Sequence, residues 1–390
     1  MKTILSIILS LNLLNISSVP TNGNDENKGN TDTGIILNSQ SALLLDFNSG
    51  EVLYEKNSND KLKPASMTKM MGLYLVMEAL NNNEIKLDDK VKCSLEASQI
   101  GGSQIYLKEN EEMTIDDLIK SVCIASANDA MYLLGEVVGG SNNQFVQMMN
   151  DKLKEFELTN TKFTNVMGFD DDNHYSTSFD MGVIAHNLIT DYGELILKYS
   201  SMTESYLRED SSSPFWLVNT NKLLGDYDGM DGLKTGYTHE AGYCLTATSE
   251  RDNLRLIAVT MNASTIKERS SDIKTLLNYG YHNYKSVKVF SKNELFLKAE
   301  FKHSKNDLDN VYIKEDIYIT LPIKESNENF EYTYTLEKDS APINVKERVG
   351  TIEIYNSKGM IFIGELVVGE DIKLINWFEY FWIIFRTMFA

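Results

Sequence analysis

The chain of 390 residues is long enough for two domains, and 42% of its residues are hydrophobic, which is ample for a core in each. Its formal net charge of −19 repels phosphate groups, so the composition argues against nucleic-acid binding. Cys93, Cys123 and Cys244 are too few and too widely spaced for a disulfide framework, and we expect buried free thiols. The five histidines are scattered, so we predict no metal site and no cofactor.

The first 35 residues are typical of an exported protein. Residues 1–19 join Lys2 to an apolar run that ends near the small residues Ser17 and Ser18, which predicts a signal peptide. A buried N-terminal helix is the alternative. Residues 20–35 are dominated by Asn, Asp, Gly and Thr, which predicts a disordered spacer. We therefore expect the folded protein at the extracytoplasmic face of the cell membrane.

A β-hairpin and a buried helix are predicted next. The runs 41–46 and 51–54 flank Asn48-Ser49-Gly50, a turn sequence. Ser66 and Lys69 then lie one turn apart at the start of a helix that is apolar on nearly every face. A serine hydroxyl is a weak nucleophile until a base takes its proton, and a lysine can do so when burial and nearby cations hold it partly neutral. The same spacing also arises by chance in any helix that starts with a serine.

A helical lobe follows this pair. Capping patterns predict helices that begin near Thr114 and Ser141, a helix over 129–138 between them, and another over 179–190. Ser126 and Asn128 fall at the junction of two of these helices, where side chains project from helix ends into a cleft.

The pattern becomes strand-like after the helical lobe. Lys234-Thr235-Gly236 comes just before the strand-like runs 242–248 and 254–261, and a helix over 266–281 follows them. The two hairpins at opposite ends of this region predict one mixed domain, 36–283, whose sheet is assembled from both ends.

The last hundred residues predict two further parts. Residues 284–373 carry short strand-like segments and predict a small all-β domain, the segments being 312–321, 331–336, 350–355 and 360–368. Residues 374–390 are strongly aromatic, with Glu379 and Arg386 on one side, and are too short to span a bilayer. They predict an amphipathic helix that anchors the protein at a membrane surface. A helix docked on the protein's own core is the alternative.

Three short motifs carry a family resemblance. Ser66-x-x-Lys69, Ser126-Ala127-Asn128 and Lys234-Thr235-Gly236 have the order found in penicillin-binding proteins and class A β-lactamases. The chain resembles the low-molecular-weight penicillin-binding proteins, specifically the serine D-alanyl-D-alanine carboxypeptidases. Other segments that resemble this family are Gly102-Ser103-Gln104, His174-Tyr175-Ser176-Thr177 and Asn219-Thr220-Asn221.

The resemblance implies a fold of the α/β (α+β) class. Its first part is a penicillin-binding/β-lactamase-like domain with an antiparallel sheet flanked by helices and an all-helical lobe. A small all-β domain and a C-terminal amphipathic anchor follow. The chain departs from many relatives at Ala127, where they often carry Gly, and at Tyr237, where they carry His.

The resemblance also implies the catalytic residues. Ser66 would attack the carbonyl carbon of the penultimate D-alanine of a peptidoglycan stem peptide, while Lys69 takes its proton. The backbone N–H groups of Ser66 and Tyr237 would stabilise the oxyanion. The Ser126 hydroxyl would pass a proton to the leaving amine with help from Lys234.

Substrate binding is implied for the remaining motif residues. Asn128 would bind a substrate amide, and Thr235 with Lys234 would hold the terminal carboxylate. Gly236 and Tyr237, which follow them in the chain, are also implied to bind the substrate. The implied ligands are peptidoglycan stem peptides as substrates and β-lactam antibiotics as covalent inhibitors.

Two alternative functions remain at this point. A class A β-lactamase would use the same Ser66 and Lys69, but it needs a glutamate that activates the deacylating water, and Glu157 is no convincing match. A catalytically silent peptidoglycan-binding scaffold could keep the fold, although such a protein would be free to lose Lys69 or Lys234.

Overall fold

The computed structural model describes residues 34–324, 330–356 and 359–376, together with Phe381 and Phe385. The predicted signal peptide and most of the predicted spacer and C-terminal helix lie outside these residues. The chain divides into two compact units, with the boundary in sequence between Asn283 and Tyr284. None of the helices within the described ranges is both long enough and apolar enough to cross a membrane.

The first unit contains seven helices and nine strands. Its helices are α1 Lys69–Asn81, α2 Leu95–Ser98, α3 Ile115–Ala125, α4 Asn128–Gly139, α5 Asn142–Glu155, α6 Ser178–Ser200 and α7 Ile266–Asn283. Its strands are β1 Ser41–Asp46, β2 Val52–Lys56, β3 Lys90–Lys92, β4 Glu112–Thr114, β5 Glu204–Leu207, β6 Phe215–Val218, β7 Met230–Thr238, β8 Gly242–Arg251 and β9 Leu254–Ala263. A 3₁₀ turn, Ala65–Thr68, leads into α1.

The main sheet has five antiparallel strands in the order β2-β1-β9-β8-β7. Alternate residues of β1 point to opposite faces, and both faces are covered by a helix. Leu43 contacts α6, where Gly182 lets the helix approach closely, and Leu44 contacts α7 at Gly280. The predicted sheet assembled from both ends of the domain is confirmed, and it presents β7 as an edge strand.

The helical lobe packs around α1. This helix is buried from Lys69 to Met77 and is in contact with α4, α5 and α6, as a helix with apolar residues on all faces requires. The predicted caps are confirmed, since Thr114 accepts a hydrogen bond from Asp117 N at 3.1 Å and Ser141 accepts one from Gln144 N at 3.2 Å.

The second unit consists of strands. They are β10 Tyr284–Phe290, β11 Leu295–Ala299, β12 Asp309–Ile313, β13 Ile317–Pro322, β14 Glu331–Leu336, β15 Arg348–Asn356 and β16 Gly359–Val368. Five of them form a sheet in the order β11-β12-β16-β15-β14, and β10 pairs with β13. Its core is aliphatic and includes Val311, Ile352 and Leu366, all fully buried. The predicted α+β fold followed by an all-β unit is therefore confirmed.

Several local predictions need correction. The segment 312–321 is two strands, because the chain turns between Ile313 and Ile317. Helix α6 continues ten residues beyond the predicted end at Thr190, after a kink at Tyr192, where φ is −135°. At the C-terminal end, Leu374 forms a β-bridge to Ser304, so no helix begins there.

Candidate active site

Ser66 lies on the 3₁₀ turn that precedes α1. Two glycines, Gly168 and Gly236, approach the backbone of this turn closely. A Cβ at Gly168 would lie 1.8 Å from the Ala65 carbonyl oxygen, and φ at Gly168 is +86°. A Cβ at Gly236 would lie 2.7 Å from the Pro64 oxygen and 3.3 Å from Ser66 N. Neither position accepts a side chain, so loop and strand backbones can close on Ser66 from two directions. Ala65 has the uncommon φ of +48°, a strained conformation of the kind found at functional sites.

Lys69 follows Ser66 by one turn and is completely buried. Its Nζ lies 2.8 Å from Ser66 Oγ, 2.7 Å from Asn128 Oδ1 and 2.9 Å from the Met167 carbonyl oxygen. Burial holds the pKa of Lys69 well below its ordinary value, and the charge of Lys234 lowers it further, while Asp129 acts in the opposite direction. The enclosed and electropositive surroundings expected for a lysine base are present.

Ser126 and Asn128 flank the break between α3 and α4. Ser126 ends α3 in the left-handed conformation, with φ of 60°, and is 4% exposed. Its hydroxyl makes no hydrogen bond within the described ranges. Asn128 donates from Nδ2 to the Gly101 carbonyl at 2.8 Å, which fixes its amide with Oδ1 towards Lys69. At this junction the Asn128 amide is hydrogen-bonded on both sides, whereas the buried Ser126 hydroxyl has no partner among the described residues.

Lys234 and Thr235 lie on the edge strand β7. Lys234 is 2% exposed, and burial lowers its pKa to about 7. Its ammonium donates to the Thr235 carbonyl at 3.2 Å. The Thr235 hydroxyl lies 2.7 Å from that of Thr220. Arg269 of α7 is 4% exposed, its charge also lowers the pKa of Lys234, and its Nε has no hydrogen-bond partner in the described part of the chain.

Tyr237 extends the site towards solvent. Its side chain is 55% exposed and stacks on Tyr243, its cross-strand neighbour, with ring centroids 4.4 Å apart. The ring therefore lies at the surface, while its backbone continues the strand that contacts the Ser66 turn through Gly236.

The predicted residues come from three parts of the chain. Ser66, Lys69 and Asn128 are in direct contact, whereas Ser126 makes no hydrogen bond to either lysine. The segment with Lys234, predicted to come just before the strands, is itself strand β7. The predicted buried free thiols, Cys93, Cys123 and Cys244, are confirmed.

Three groups at the site were not predicted from the sequence: the Met167 carbonyl, Gly168 and Arg269. A backbone carbonyl leaves no side-chain signal, and Arg269 reaches the site only because α7 packs on the sheet. Gly168 stands in Asn165-Val166-Met167-Gly168, where a glycine after an asparagine could have indicated a tight turn. No group of three or more His, Cys, Asp or Glu residues able to hold a metal ion occurs among the described residues.

Comparison with known proteins identifies the family. Residues 28–265 match the family described as D-alanyl-D-alanine carboxypeptidase, and residues 284–374 match the C-terminal domain of penicillin-binding protein 5. The chain belongs to the D-alanyl-D-alanine carboxypeptidase family. It is a serine hydrolase of this peptidase class, and neither alternative function is supported by these relatives.

Individual relatives extend over most of the chain. It is 40% identical over 336 residues to D-alanyl-D-alanine carboxypeptidase DacF of Bacillus subtilis, covering 86% of each protein. Penicillin-binding protein 5 from Haemophilus influenzae is similar in structure, with a TM-score of 0.67 and 30% identity over 87% of this chain and 98% of that one. Penicillin-binding protein D2 from Listeria monocytogenes, in its ampicillin-bound form, has a TM-score of 0.57 and 32% identity over 63% of this chain and 98% of that one.

Proposed function

We propose that Ser66 is the residue acylated in the carboxypeptidase reaction and that Lys69 is its base. The observation that carries this assignment is the set of neighbours of Lys69 Nζ, which are Ser66 Oγ and two carbonyl oxygens. A neutral amine has two N–H bonds and one lone pair. The oxygens of Met167 and Asn128 can only accept, so they take both N–H groups. The lone pair is then directed at the Ser66 hydroxyl, as general-base catalysis requires.

The acylation step balances with the groups in the site. Ser66 Oγ forms a bond to the carbonyl carbon of the penultimate D-alanine while its proton passes to Lys69 Nζ. The bond from that carbon to the nitrogen of the terminal D-alanine breaks, and the leaving amine takes the proton of the Ser126 hydroxyl, which Lys69 replaces with the proton that it took from Ser66. Water then hydrolyses the acyl-enzyme ester, which releases the shortened stem peptide and restores Ser66.

The oxyanion is assigned to two backbone N–H groups, those of Ser66 and Tyr237. The close approach at Gly236, whose Cβ position lies 3.3 Å from Ser66 N, brings the β7 backbone beside the nucleophile turn. Fixed donors aimed at developing charge are worth about 3 to 4 kcal/mol each in such sites. Because the donors belong to the main chain, the side chain of Tyr237 is free to differ from that of relatives.

The terminal carboxylate of the substrate is assigned to the cationic end of β7. Lys234 and Arg269 are buried cations, and Thr235, whose hydroxyl lies 2.7 Å from that of Thr220, follows Lys234 on the strand. A carboxylate would stabilise both charges, which burial now disfavours. This requirement for a free carboxylate distinguishes a carboxypeptidase from a general esterase. Asn128 orients Lys69 in addition to the predicted contact with a substrate amide.

The test is covalent labelling and product release by the full chain and its Ser66→Ala variant. The protein is incubated with a fluorescent penicillin and with diacyl-Lys-D-Ala-D-Ala, and labelling and free D-alanine are measured. Both signals are expected in the wild type and neither in the variant. Persistent labelling of Ser66→Ala would assign the nucleophile elsewhere, and rapid penicillin turnover without D-alanine release would support a β-lactamase.

Glu157 does not supply the glutamate that a class A β-lactamase requires. Glu157, the residue considered for this role, is exposed and adopts φ of +59° in the turn after α5. The carboxylate that acts on Lys69, Asp129, accepts hydrogen bonds from the N–H groups of Ile105, Leu107 and Ala130 and is engaged in holding a loop. A long-lived penicilloyl-enzyme is therefore the expected product, and β-lactams are proposed as covalent inhibitors.

Export and membrane attachment complete the proposal. Residues 1–19 have the composition of a signal peptide, and residues 377–390 that of an interfacial helix, in which Phe381 and Phe385 are helical and exposed. Deletion of 377–390 is expected to release the protein from anionic lipid vesicles in a sedimentation assay while penicillin labelling continues. A truncated chain that still sediments with vesicles would disprove the anchor.

A further inference from the structure

His174 is a buried group that the reaction steps above do not use. It is 1% exposed and lies where loop 163–174 rejoins the body of the first unit. Lys162 and Tyr175 close the loop through a β-bridge, with hydrogen bonds of 2.9 and 3.1 Å. The site residues Met167 and Gly168 are both carried by this loop.

The hydrogen bonds of His174 define its tautomer. Nδ1 accepts from the backbone N–H of Thr164 at 3.0 Å, and an amide nitrogen cannot accept in return. Nε2 therefore carries the proton and donates to Thr68 Oγ1 at 2.8 Å. Burial and the Lys63 cation lower the pKa of His174 to about 4, outweighing Asp170 and Asp171, so the ring is neutral at pH 7.

This ring connects the loop to the nucleophile turn. Thr68 is fully buried and immediately precedes Lys69, whereas Thr164 begins the loop that supplies the Met167 carbonyl. Inside the loop, Asn165 Oδ1 accepts from the N–H groups of Gly168 at 2.8 Å and Phe169 at 2.9 Å, which fixes the turn around Met167. These hydrogen bonds therefore connect Thr68, the neighbour of Lys69, to the loop that holds the Met167 carbonyl, which accepts from Lys69 Nζ.

The Met167 carbonyl has a chemical consequence for Lys69. If it moves away from Nζ, the amine loses one of its two acceptors and its lone pair is no longer confined to the direction of Ser66 Oγ. Substrate binding uses β7 and the α3–α4 junction, so it would be unaffected. A shift of the loop should therefore slow the chemical step without weakening binding.

We propose that His174 is a positioning residue for this reaction, which joins Thr68 to Thr164 and thereby holds the Met167 carbonyl on Lys69 Nζ. The inference rests on the assignment of Lys69 as the base. His174 touches neither substrate nor nucleophile and acts only through the loop.

The experiment compares His174→Leu with His174→Gln in the full chain. The leucine variant fills the space but removes the hydrogen bonds of the ring to Thr68 and Thr164 and the longer contact of Nδ1 with Asn165 Nδ2 at 3.5 Å. We expect kcat for diacyl-Lys-D-Ala-D-Ala to fall about tenfold to a hundredfold, with KM little changed. The glutamine variant is expected to restore most of kcat, because its amide oxygen accepts from Thr164 N–H and its NH₂ group donates to Thr68. The rate of penicillin labelling should follow kcat in both.

His186→Leu is the matched control. His186 is a half-buried histidine of the same unit, which donates to the Phe47 carbonyl at 2.9 Å and touches no site residue. Its loss should lower the thermal midpoint and leave kcat at the wild-type value. A loss of kcat in His174→Leu beyond that in this control, with rescue by glutamine, would support positioning over a general loss of stability.

Two results would overturn the inference. One is wild-type kcat in folded His174→Leu, and the other is a loss of kcat that glutamine does not restore. If the leucine variant does not fold, Thr68→Val replaces it, since it removes the acceptor of Nε2–H at nearly constant volume, and wild-type kcat there would overturn the inference equally. A wrong assignment of the nucleophile is recognised separately, by labelling that persists in Ser66→Ala.

Discussion

The two units of the chain treat charge in opposite ways. The first unit buries three cations at the proposed active site, Lys69, Lys234 and Arg269, each no more than 4% exposed. The second unit keeps its ion pairs at the surface: the side chains of Lys302 and Asp339 are both 69% exposed, and Lys288 and Asp316 are 40% and 38% exposed. Among the described residues of this unit, the one buried residue with an ionisable side chain is Asp309, which accepts hydrogen bonds from Ser304 and Asn306.

This difference in charge burial indicates that the first unit carries the chemistry and that the second unit is built for stability. Buried cations without full compensation lower stability, and their persistence at one place in a fold indicates a functional demand. The second unit has an aliphatic core and solvated pairs, the arrangement that serves stability alone. We therefore expect substitutions in the first unit to change activity and stability independently, and those in the second to change stability alone.

The largest expected effect is on acylation. Lys69→Met keeps most of the side-chain volume but removes the base, so the rate of penicillin labelling should fall about 10³-fold or more. The thermal midpoint should change little, because the cost of holding the amine neutral is relieved while the Asn128 and Met167 oxygens lose their donor. Lys152→Met is the control, a lysine of α5 that pairs with Glu78 and Glu155, and it should label at the wild-type rate. Rapid labelling of Lys69→Met would assign the base elsewhere.

The next effect is a loss of stability in the second unit. Ile352 is fully buried in β15, and Ile352→Ala should cost about 3 kcal/mol through lost burial and the cavity left behind. Amide hydrogen exchange should accelerate in β12, β15 and β16 but not in α1, and penicillin labelling should keep its rate. Ile352→Val should show a smaller effect of the same kind. Slower labelling by Ile352→Ala would contradict the separation of the two units.

A gain in stability is expected when Lys234 is replaced by methionine, at the expense of activity. Burial lowers the pKa of Lys234 to about 7, whereas it is about 10.4 in an unfolded chain. Between these values the unfolded chain binds more protons, so the free energy of unfolding of the wild type rises with pH. The advantage of Lys234→Met should be on the order of 2 kcal/mol at pH 7 and should shrink towards pH 10.

Urea denaturation of both proteins at pH 7 and pH 9 measures this difference directly. The comparison between variant and wild type cancels the contribution of the titrating groups that Lys234 does not influence. The pKa of Lys69, which the Lys234 charge lowers, changes with the substitution and belongs to the measured difference. A variant less stable than the wild type at pH 7 would show that Lys234 is compensated in the fold, contrary to its burial beside Arg269.

Local signals explain which parts of this fold the sequence could predict. The caps at Thr114 and Ser141 and the hairpin of β8 and β9 depend on residues within a few positions of each other, and all appear as expected. Strand β7 was not predicted, because Gly232 and Gly236 weaken its strand pattern. Its conformation is set by pairing with β8, and its second glycine is needed for the approach to the Ser66 turn.

The active site likewise contains contacts that local sequence predicts and contacts that depend on long-range packing. The Ser66-x-x-Lys69 spacing predicted a contact that the structure places at 2.8 Å, since both residues lie on consecutive turns of the chain. Arg269 and the Met167 carbonyl could not be predicted, because each reaches the site through the packing of a distant element. Ser126 was predicted from its motif, but its left-handed backbone and its hydroxyl without a described partner are properties of the folded junction.

The smallest expected effect completes the contrast between the units. Lys288 lies on β10 and pairs with Asp316 at 2.7 Å at the exposed surface, where screening and side-chain entropy offset the attraction. Lys288→Ala should leave both the urea midpoint and the rate of penicillin labelling within experimental error. The pKa of Lys288 is raised by its bond to Asp316, so the pair persists to alkaline pH without contributing measurably to stability. A clear loss of stability would mean that surface ion pairs contribute to the free energy of unfolding of this unit. Its stability could then not be assigned to the hydrophobic core alone.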